Sequence, residues 1–519
     1  MTLNLVVLPT LVSAATAAKP NVVYILADDL GVGDVKCFNS EGKIATPNMD
    51  KLAAEGMKFI DCHSSSAVCT PTRYGILTGR YNWRSRLQSG VLNGFSPPLI
   101  EAGRLTVAEL LRQNGYHTAA FGKWHLGMNF GAKGRAESTP DNADVADEAA
   151  TRANTDYSKP IKNGPTAVGF DYYFGISASL DMPPFVYIEN DRFTALPTTE
   201  KTWLRKGPAA ADFEAIDVLP TLTKRVTTYL GQRAVEARNG KPFFVYMPLN
   251  SPHTPILPTA EWQGKSGLNA YGDFVMQTDW TVGQVMAALE QNGLADNTIL
   301  VMTSDNGCSP AAKVDELTSK GHYPSMNYRG YKSDIWEGGH HVPFIIRWPG
   351  HIQAGSTSDQ TICLVDLMGT CAEILGAKLP ANAGEDSVSL LPALLGKADK
   401  PLHEAVVHHS IEGRFSIRQG KWKLELCAGS GGWSAPKEGP ALKQGLPSVQ
   451  LYDLSSDVGE QNNVQEKYPE VVERLTQLLK KYVADGRSTP GEPQKNTVEP
   501  NIFKSVAPAA AGGKKKKKQ

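Results

Sequence analysis

Short, continuous apolar runs alternate with longer amphipathic stretches over the first two-thirds of the chain. Val22 to Ala27, Thr118 to Phe121, Phe243 to Met247, Ile299 to Thr303 and Pro343 to Arg347 are unbroken in hydrophobicity, the pattern of strands buried on both faces. Between them, Pro47 to Glu55, Thr106 to Asn114, Leu219 to Arg238, Tyr271 to Gln291 and Val365 to Leu375 have helical spacing. This alternation predicts an α/β fold with a mostly parallel sheet sandwiched by helices. From residue 399 the pattern changes. Phe415 to Gln419 and Trp422 to Leu426 flank Gly420-Lys421 as a hairpin, and Leu451 to Leu454 reads as another strand. Tyr468 to Val483 places Val471, Leu475, Leu478, Leu479 and Tyr482 on one helical face. The expected organisation is a leader over 1–17, an α/β domain over 18–398, a smaller antiparallel sheet with a helix over 399–486, and a disordered tail over 487–519. Gly131 to Gly164 reads as a long surface loop.

The leader changes the expected location. Leu3 to Val12 is apolar apart from Asn4, Pro9 and Thr10, and Ala15-Thr16-Ala17 fits a small-residue cleavage site, although no basic residue precedes the apolar stretch. A signal peptide and export to the periplasm or beyond are therefore expected, and no apolar run is long enough for a transmembrane helix. Lys and Arg number 53, as do Asp and Glu, and five of the cations form the run Lys514 to Lys518. The rest of the chain is mildly acidic, which disfavours nucleic acid as a partner. An anionic substrate must then be held by local cations. The seven cysteines are too sparse for a disulfide scaffold, and their odd number leaves at least one unpaired.

Candidate chemistry collects where the strands end. Ligands of open α/β sheets bind beyond the carboxyl ends of the strands. There the first strand delivers Asp28-Asp29, the second Lys123 and His125, the third His253 and the fourth Asp305-Asn306. Three carboxylates and an amide carbonyl suit a hard cation, calcium or magnesium rather than zinc. Either acidic pair alone reads more readily as a helix cap or turn than as a metal site, and it is both pairs at equivalent strand ends that point to a metal. Within Ser66 to Arg80, Pro71 marks a helix start and puts Cys69 near an N-terminus with Arg73 one turn on. That placement predicts an activated thiol or an anion pocket; the alternative is a buried structural cysteine beside an ordinary cap.

Cys69-Thr70-Pro71-Thr72-Arg73, followed by Leu77-Thr78-Gly79-Arg80, resembles the C-x-P-[ST]-R signature of the sulfatase family and its trailing T-G-R. The resemblance extends over residues 20 to 485. It includes Ala27 to Gly31, Gly122 to Gly127, Ser251-Pro252-His253, Ser304 to Gly307 and Lys332 within Gly330 to Gly339. It implies an alkaline-phosphatase-like fold with a small C-terminal antiparallel sheet. It also implies that a separate formylglycine-generating enzyme oxidises Cys69 to formylglycine. Calcium, with magnesium second, would be held by Asp28, Asp29, Asp305, Asn306 and the modified residue 69. The implied roles are chemically coherent. One oxygen of the hydrated aldehyde attacks sulfur; Arg73 and Lys123 stabilise its charge; Lys123, His253 and Lys332 hold sulfate; His253 or Lys332 protonates the leaving alcohol. His125 deprotonates the second oxygen and sulfate is expelled. One position departs from the pattern: many relatives have Arg where this chain has His341.

The substrate expected by resemblance is a sulfated carbohydrate with galactose- or N-acetylgalactosamine-type units. Asp181 is a candidate for a sugar hydroxyl, and His322 and Arg329, near Lys332, for a second ring. Two other functions fit the same residues: a phosphonate or phosphodiester hydrolase on the same fold, and a non-catalytic binder of sulfated glycans if Cys69 stays a thiol. A cysteine hydrolase using Cys69 and His125 is disfavoured because it would leave the acidic cluster idle. Oligomeric state and cysteine pairing are not set by the sequence.

Overall fold

Strand β1 (Asn21–Ala27) is buried throughout and sends alternate side chains to opposite faces, as a strand must. Val23, Ile25 and Ala27 enter one core with the helices Pro47–Glu55, Val218–Arg238 and Ala270–Gln291. Val22, Tyr24 and Leu26 enter a second with the helices Cys69–Thr78, Val107–Gln113 and Leu367–Leu375. Both faces of the sheet are therefore covered, which is why its strands are continuously apolar. The computed structural model describes residues 19–133 and 148–504. The expected leader, the middle of the 131–164 loop and the lysine run lie outside the described residues.

The large sheet continues with β2 (Met57–Phe59), β3 (His117–Lys123), β4 (Tyr172–Ile176), β5 (Ile188–Glu189), β6 (Arg192–Phe193), β7 (Phe243–Pro248), β8 (Thr298–Ser304), β9 (Phe344–Arg347) and β10 (Ser356–Ser358). Their order is β10-β2-β9-β8-β1-β7-β3-β4-β5-β6. The central run from β8 to β4 is parallel, whereas β9 lies antiparallel to both β8 and β2. The apolar run at Pro343 to Arg347 thus forms a strand of the expected extent, but in the opposite direction. Side-chain alternation is the same either way, so hydrophobicity carries no direction.

Strand register brings the chemistry to one edge. Ala27 pairs with Ser304 and Leu26 with Pro248, so the residues following β1, β7 and β8 emerge side by side. Gly122, just before Lys123, permits the close approach of β3. Its φ is 133°, and a Cβ there would stand 1.9 Å from the Pro248 carbonyl oxygen.

A second sheet, β11 (Val406–His409), β12 (Phe415–Gln419), β13 (Trp422–Glu425) and β14 (Gln450–Asp453), is antiparallel in sequence order. The helix Pro469–Ala484 lays Val471, Leu475, Leu479 and Tyr482 on it. This core also contains Tyr81, Trp83 and Val365, so the small sheet is joined to the large unit by shared apolar packing. The expectation of a disordered tail from Arg487 does not hold up to Lys504. Thr497 N donates to Arg84 O at 2.7 Å, Arg80 Nη2 donates to Lys495 O at 3.0 Å, and Ile502 joins the small-sheet core. The segment supplies acceptors to two buried guanidiniums, Lys495 O to Arg80 and Asn496 Oδ1 to Arg84 Nη1 at 3.0 Å. All seven cysteines are free, and no helix among the described residues is long and apolar enough to cross a membrane.

Gly122→Ala is expected to destabilise the protein by at least about 2 kcal/mol, because both the φ and the space exclude a side chain. Urea denaturation measures this; an unchanged midpoint would mean that β3 can withdraw from Pro248 without cost.

Candidate active site

The acidic residues are fixed first by backbone. Asp28 N donates to Ser251 O at 2.9 Å, tying the end of β1 to the turn after β7. Asp29 has φ 68°, a left-handed conformation unusual for a residue with a side chain. Three contacts maintain it: Asp29 N donates to Asp305 Oδ1 at 3.3 Å, Asn306 Nδ2 donates to Asp29 Oδ1 at 2.8 Å, and the Tyr271 hydroxyl lies 3.0 Å from Asp29 O. Asp28, Asp29, Asp305 and Asn306 are all at most 1% exposed, so water can solvate none of these charges.

Cations answer them one by one. Lys123 Nζ lies 2.8 Å from Asp28 Oδ2, and Lys332 Nζ lies 2.6 Å from Asp29 Oδ1. Arg73 places Nη2 at 2.7 Å and Nε at 3.1 Å from Asp305 Oδ2, with Nη1 donating to Lys123 O at 3.0 Å. His253 Nε2 is 3.7 Å from Asp29 Oδ2, and its Nδ1 lies 2.5 Å from Thr254 O. Lys332 is carried by a loop strapped to the segment before Cys69: Ser333, at φ 86°, donates its N–H to Ala67 O at 2.7 Å. The sequence-predicted residues Asp28, Asp29, Cys69, Arg73, Lys123, His125, His253, Asp305, Asn306 and Lys332 thus occupy one buried neighbourhood.

Charge balance is visible in protonation. Burial pushes the Asp28 carboxyl up, but Lys123, His253, Arg73 and Lys332 together outweigh it and hold Asp28 well below the usual carboxylate range. Burial and the neighbouring Asp28 raise Asp305 despite Arg73. The acids therefore crowd one another, and an additional cation among them would relieve it. One atom fits that cation directly: Asn306 Oδ1 is buried without a hydrogen-bond partner. With the three carboxylates it makes an all-oxygen donor set suited to calcium or magnesium.

Cys69 is the first residue of its helix, 2% exposed, with Sγ 3.7 Å from Asp28 Oδ1. The expected activation of the thiol is absent. Burial pushes it up to about 12, and the pull of Lys123 and Lys332 does not compensate. A thiol so disposed is protonated at neutral pH and is a poor nucleophile. His125, at φ 55°, places Nε2 at 2.7 Å from Leu92 O, where it must donate. Nδ1 then carries the lone pair, and it has no partner. Burial, then Lys123 and Arg73, hold His125 well below the ordinary imidazole range, so it is neutral and able to accept a proton.

The substrate candidates separate. Asp181 is 8% exposed, with Oδ1 unpartnered and Oδ2 3.8 Å from Arg205 Nη2. Its loop starts beside His125, whose N–H donates to Ser177 O at 2.9 Å. Asp181 therefore retains a free acceptor for a hydroxyl. His322 does not. It is fully buried, with Nε2 2.8 Å from Asp34 Oδ1 and Nδ1 accepting from Lys43 N at 3.1 Å, so both ring nitrogens are used internally. Arg329 is likewise committed to the fold: Nη1 donates to Glu460 O at 2.8 Å, and its guanidinium lies 3.6 Å above the Trp336 ring. His341, the departure from the expected pattern, donates from Nε2 to Ile60 O at 3.0 Å, places Nδ1 at 3.3 Å from Glu337 Oε2 and stacks on Tyr328. The sequence reading missed Tyr271 and Asp34. The Tyr271 hydroxyl donates to Asp34 Oδ2 at 2.5 Å while touching Asp29 O. A tyrosine inside an ordinary amphipathic helix carries no signal of that role.

Residues 20–377 match a family model described as Sulfatase. An N-acetylgalactosamine-6-O-sulfatase of Bacteroides thetaiotaomicron is 33% identical over 512 residues, spanning 89% of this chain and 92% of that protein. Human arylsulfatase A is 32% identical, spanning 89% and 88% respectively. A solved structure described under the metabolism of multiple glycosaminoglycans by Bacteroides thetaiotaomicron is 32% identical, with a TM-score of 0.75 over 90% of this chain and 99% of that one.

Tyr271→Phe removes the hydroxyl between Asp34 and Asp29 and is expected to cost about 1–3 kcal/mol, because buried acceptors lose a donor. Unaltered stability toward urea would show that Gly31 N and His322, the other partners of Asp34, suffice without it.

Proposed function

The chain belongs to the sulfatase family, whose members hydrolyse sulfate esters, and from that premise we propose that its substrate is a sulfated carbohydrate of galactose or N-acetylgalactosamine type. The reaction is centred on residue 69 after its conversion to formylglycine. The observation that carries this reading is the approach of Cys69 Sγ to within 3.7 Å of Asp28 Oδ1, beside Lys123 and Lys332. The Cys69 sulfur stands where the formylglycine oxygens would be. A protonated, buried thiol is a weak nucleophile, so oxidation gives this position a use that cysteine does not. The 6-position of the sulfate is suggested by the Bacteroides thetaiotaomicron relative.

Asp28, Asp29, Asp305 and Asn306, with residue 69, would hold calcium, which supplies positive charge against developing anionic oxygen. Formylglycine supplies a hydrated aldehyde: one hydroxyl oxygen as nucleophile, and a second whose deprotonation allows release. Arg73, bound to Asp305 and to the Lys123 carbonyl, keeps its position while charge changes beside it. Lys123 pairs with Asp28 and Lys332 with Asp29, and their ammonium groups bind sulfate oxygens. His253 is directed through Nδ1 to Thr254 O, leaving Nε2 to donate a proton to the departing alcohol oxygen. His125 is directed through Nε2 to Leu92 O, leaving Nδ1 to accept the proton from residue 69. Asp181, with its unpartnered oxygen, accepts a hydrogen bond from a sugar hydroxyl.

Two measurements test this reading. A mass spectrum of the peptide containing residue 69, from protein co-expressed with a formylglycine-generating enzyme, should show loss of one sulfur and two hydrogens and gain of one oxygen. Activity on a 6-sulfated N-acetylgalactosamine should follow the converted fraction and greatly exceed that on the matching phosphate diester. Cys69→Ala should lower kcat by about 10³-fold or more. Full activity with an intact thiol would end the formylglycine proposal, and a preference for the diester would reassign the substrate.

The pH profile tests His125. Its lowered pKa keeps the proton-accepting form populated below the ordinary value of about 6.5. The acid limb of kcat should therefore lie below that value. A limb at or above it that disappears in His125→Gln would show that the imidazole is charged at neutral pH.

A further inference from the structure

A second histidine cluster lies behind the segment that leads into Cys69. His63, His340 and His408 are fully buried, and one ring nitrogen from each falls within 4.8 Å of the others. They come from three parts of the chain. His63 ends the short strand Cys62–His63, His340 ends the helix Glu337–His340 that follows Lys332, and His408 lies on β11 of the small sheet.

Their outer contacts constrain where the protons are. His63 Nε2 lies 2.9 Å from Asp61 Oδ1, which can only accept, and 2.8 Å from Arg418 Nη1, which can only donate and also reaches Asp61. His408 Nδ1 lies 3.3 Å from Ser64 O, and His340 Nε2 lies 3.0 Å from Ile335 O. Lys423 Nζ is also 3.1 Å from His340 Nε2. Its other two protons go to Glu460 Oε1 at 2.7 Å and Ile335 O at 3.0 Å, so the third is donated to His340 Nε2. His63 and His408 can thus turn an outer N–H to a carboxylate and a carbonyl, the arrangement that orients metal-ligating histidines, while His340 Nε2 accepts from Lys423. The inward nitrogens are His63 Nδ1, His340 Nδ1 and His408 Nε2. His63 Nδ1 and His340 Nδ1 face each other at 3.1 Å, and His408 Nε2 has no hydrogen-bond partner. A proton on His340 Nδ1 bridges it to His63 Nδ1, and a metal ion bound among the three nitrogens would take that proton's place. Burial lowers all three imidazoles, favouring the neutral form that binds a metal.

We propose that His63, His340 and His408 form a second metal site, separate from the acidic cluster and selective for a zinc-like divalent transition metal. Three neutral imidazoles suit that class and not calcium. The 3.1 Å separation of His63 Nδ1 and His340 Nδ1 is near the ~3.3 Å edge of a tetrahedron with Zn–N bonds of about 2.0–2.1 Å. His340 and His408 are stacked at 3.8 Å, and a tilt of the two rings brings both nitrogens onto one ion. Glu337 Oε2, 3.9 Å from His63 Nδ1, is the nearest carboxylate for a fourth position. Despite burial, Asp61 and Glu337, beside the site, are held below the usual carboxylate range by neighbouring His63, Arg418 and Lys423. The ion would clamp the small sheet to the segments carrying Cys69 and Lys332.

The test uses the full chain with Cys69→Ser, which removes the thiolate competitor, in saturating calcium. Co²⁺ titration should show one ion per chain with the visible absorption of tetrahedral nitrogen ligation, and a rise in Tm. His408→Gln, its fold checked by circular dichroism, should lose both. No Co²⁺ or Zn²⁺ uptake would overturn the proposal and leave a proton bridging His63 and His340. Uptake that calcium displaces, or that survives in folded His408→Gln, would place the ion elsewhere and overturn it equally. The calcium competition is read on the chain with all three histidines, so it decides the matter even if His408→Gln does not fold.

Discussion

Mutual neutralisation of buried charge is the constraint on which this structure depends. Asp28, Asp29 and Asp305 lie at the carboxyl ends of adjacent strands with essentially no solvent, and Lys123, Lys332 and Arg73 contact them within hydrogen-bonding distance. Removing either member of such a pair leaves an uncompensated buried charge, whose cost is typically about 3–5 kcal/mol. The cluster must therefore assemble as a unit. Each cation arrives on a different element: Lys123 on β3, Arg73 on the helix after residue 68, and Lys332 on a loop tied to Ala67. The electrostatic need is thus also a geometric one, because strand register decides whether the pairs can form.

The backbone shows the same demand. Asp29, His125 and Ser333 all have left-handed φ values, a conformation that costs side-chain-bearing residues energy. They occur where the chain turns acidic, basic and strap residues toward one point, and hydrogen bonds to Asp305, Ser177 and Ala67 retain them. Gly122 is the complementary case, in which the absence of a side chain lets β3 approach the Pro248 carbonyl.

The small sheet extends this interdependence. Arg418 pairs with Asp61, Lys423 with Glu337, and Arg329 covers Trp336 while donating to Glu460 O. These contacts run between β12, β13 and the segments flanking Cys69 and Lys332. Motion of the small sheet would therefore disturb the loops that aim the reactive groups. The same region supplies the His341 contacts with Ile60 and Glu337, so the loop after Glu337 is braced by that imidazole.

Much of this was legible along the chain. The helix Pro47–Glu55, the hairpin of β12 and β13, and the apolar face of the last helix were readable from period and turn residues, because those are local properties. So was the core of the site, since acidic and basic residues directly following apolar runs must share an edge if the strands are parallel. The direction of β9 was not legible, because alternation is symmetric under reversal. Nor were the internal roles of His322 and Arg329, or the brace from Tyr271 to Asp29, 242 residues apart. The thiol of Cys69 shows the limit most plainly. Its place at a helix start is local and suggests activation, but burial raises it to about 12, and burial is set by everything that packs around it. The sequence determined which elements form and which chemical groups stand at their ends. Tertiary structure decided their directions, partners and protonation states, because those depend on distances between residues that the chain separates widely.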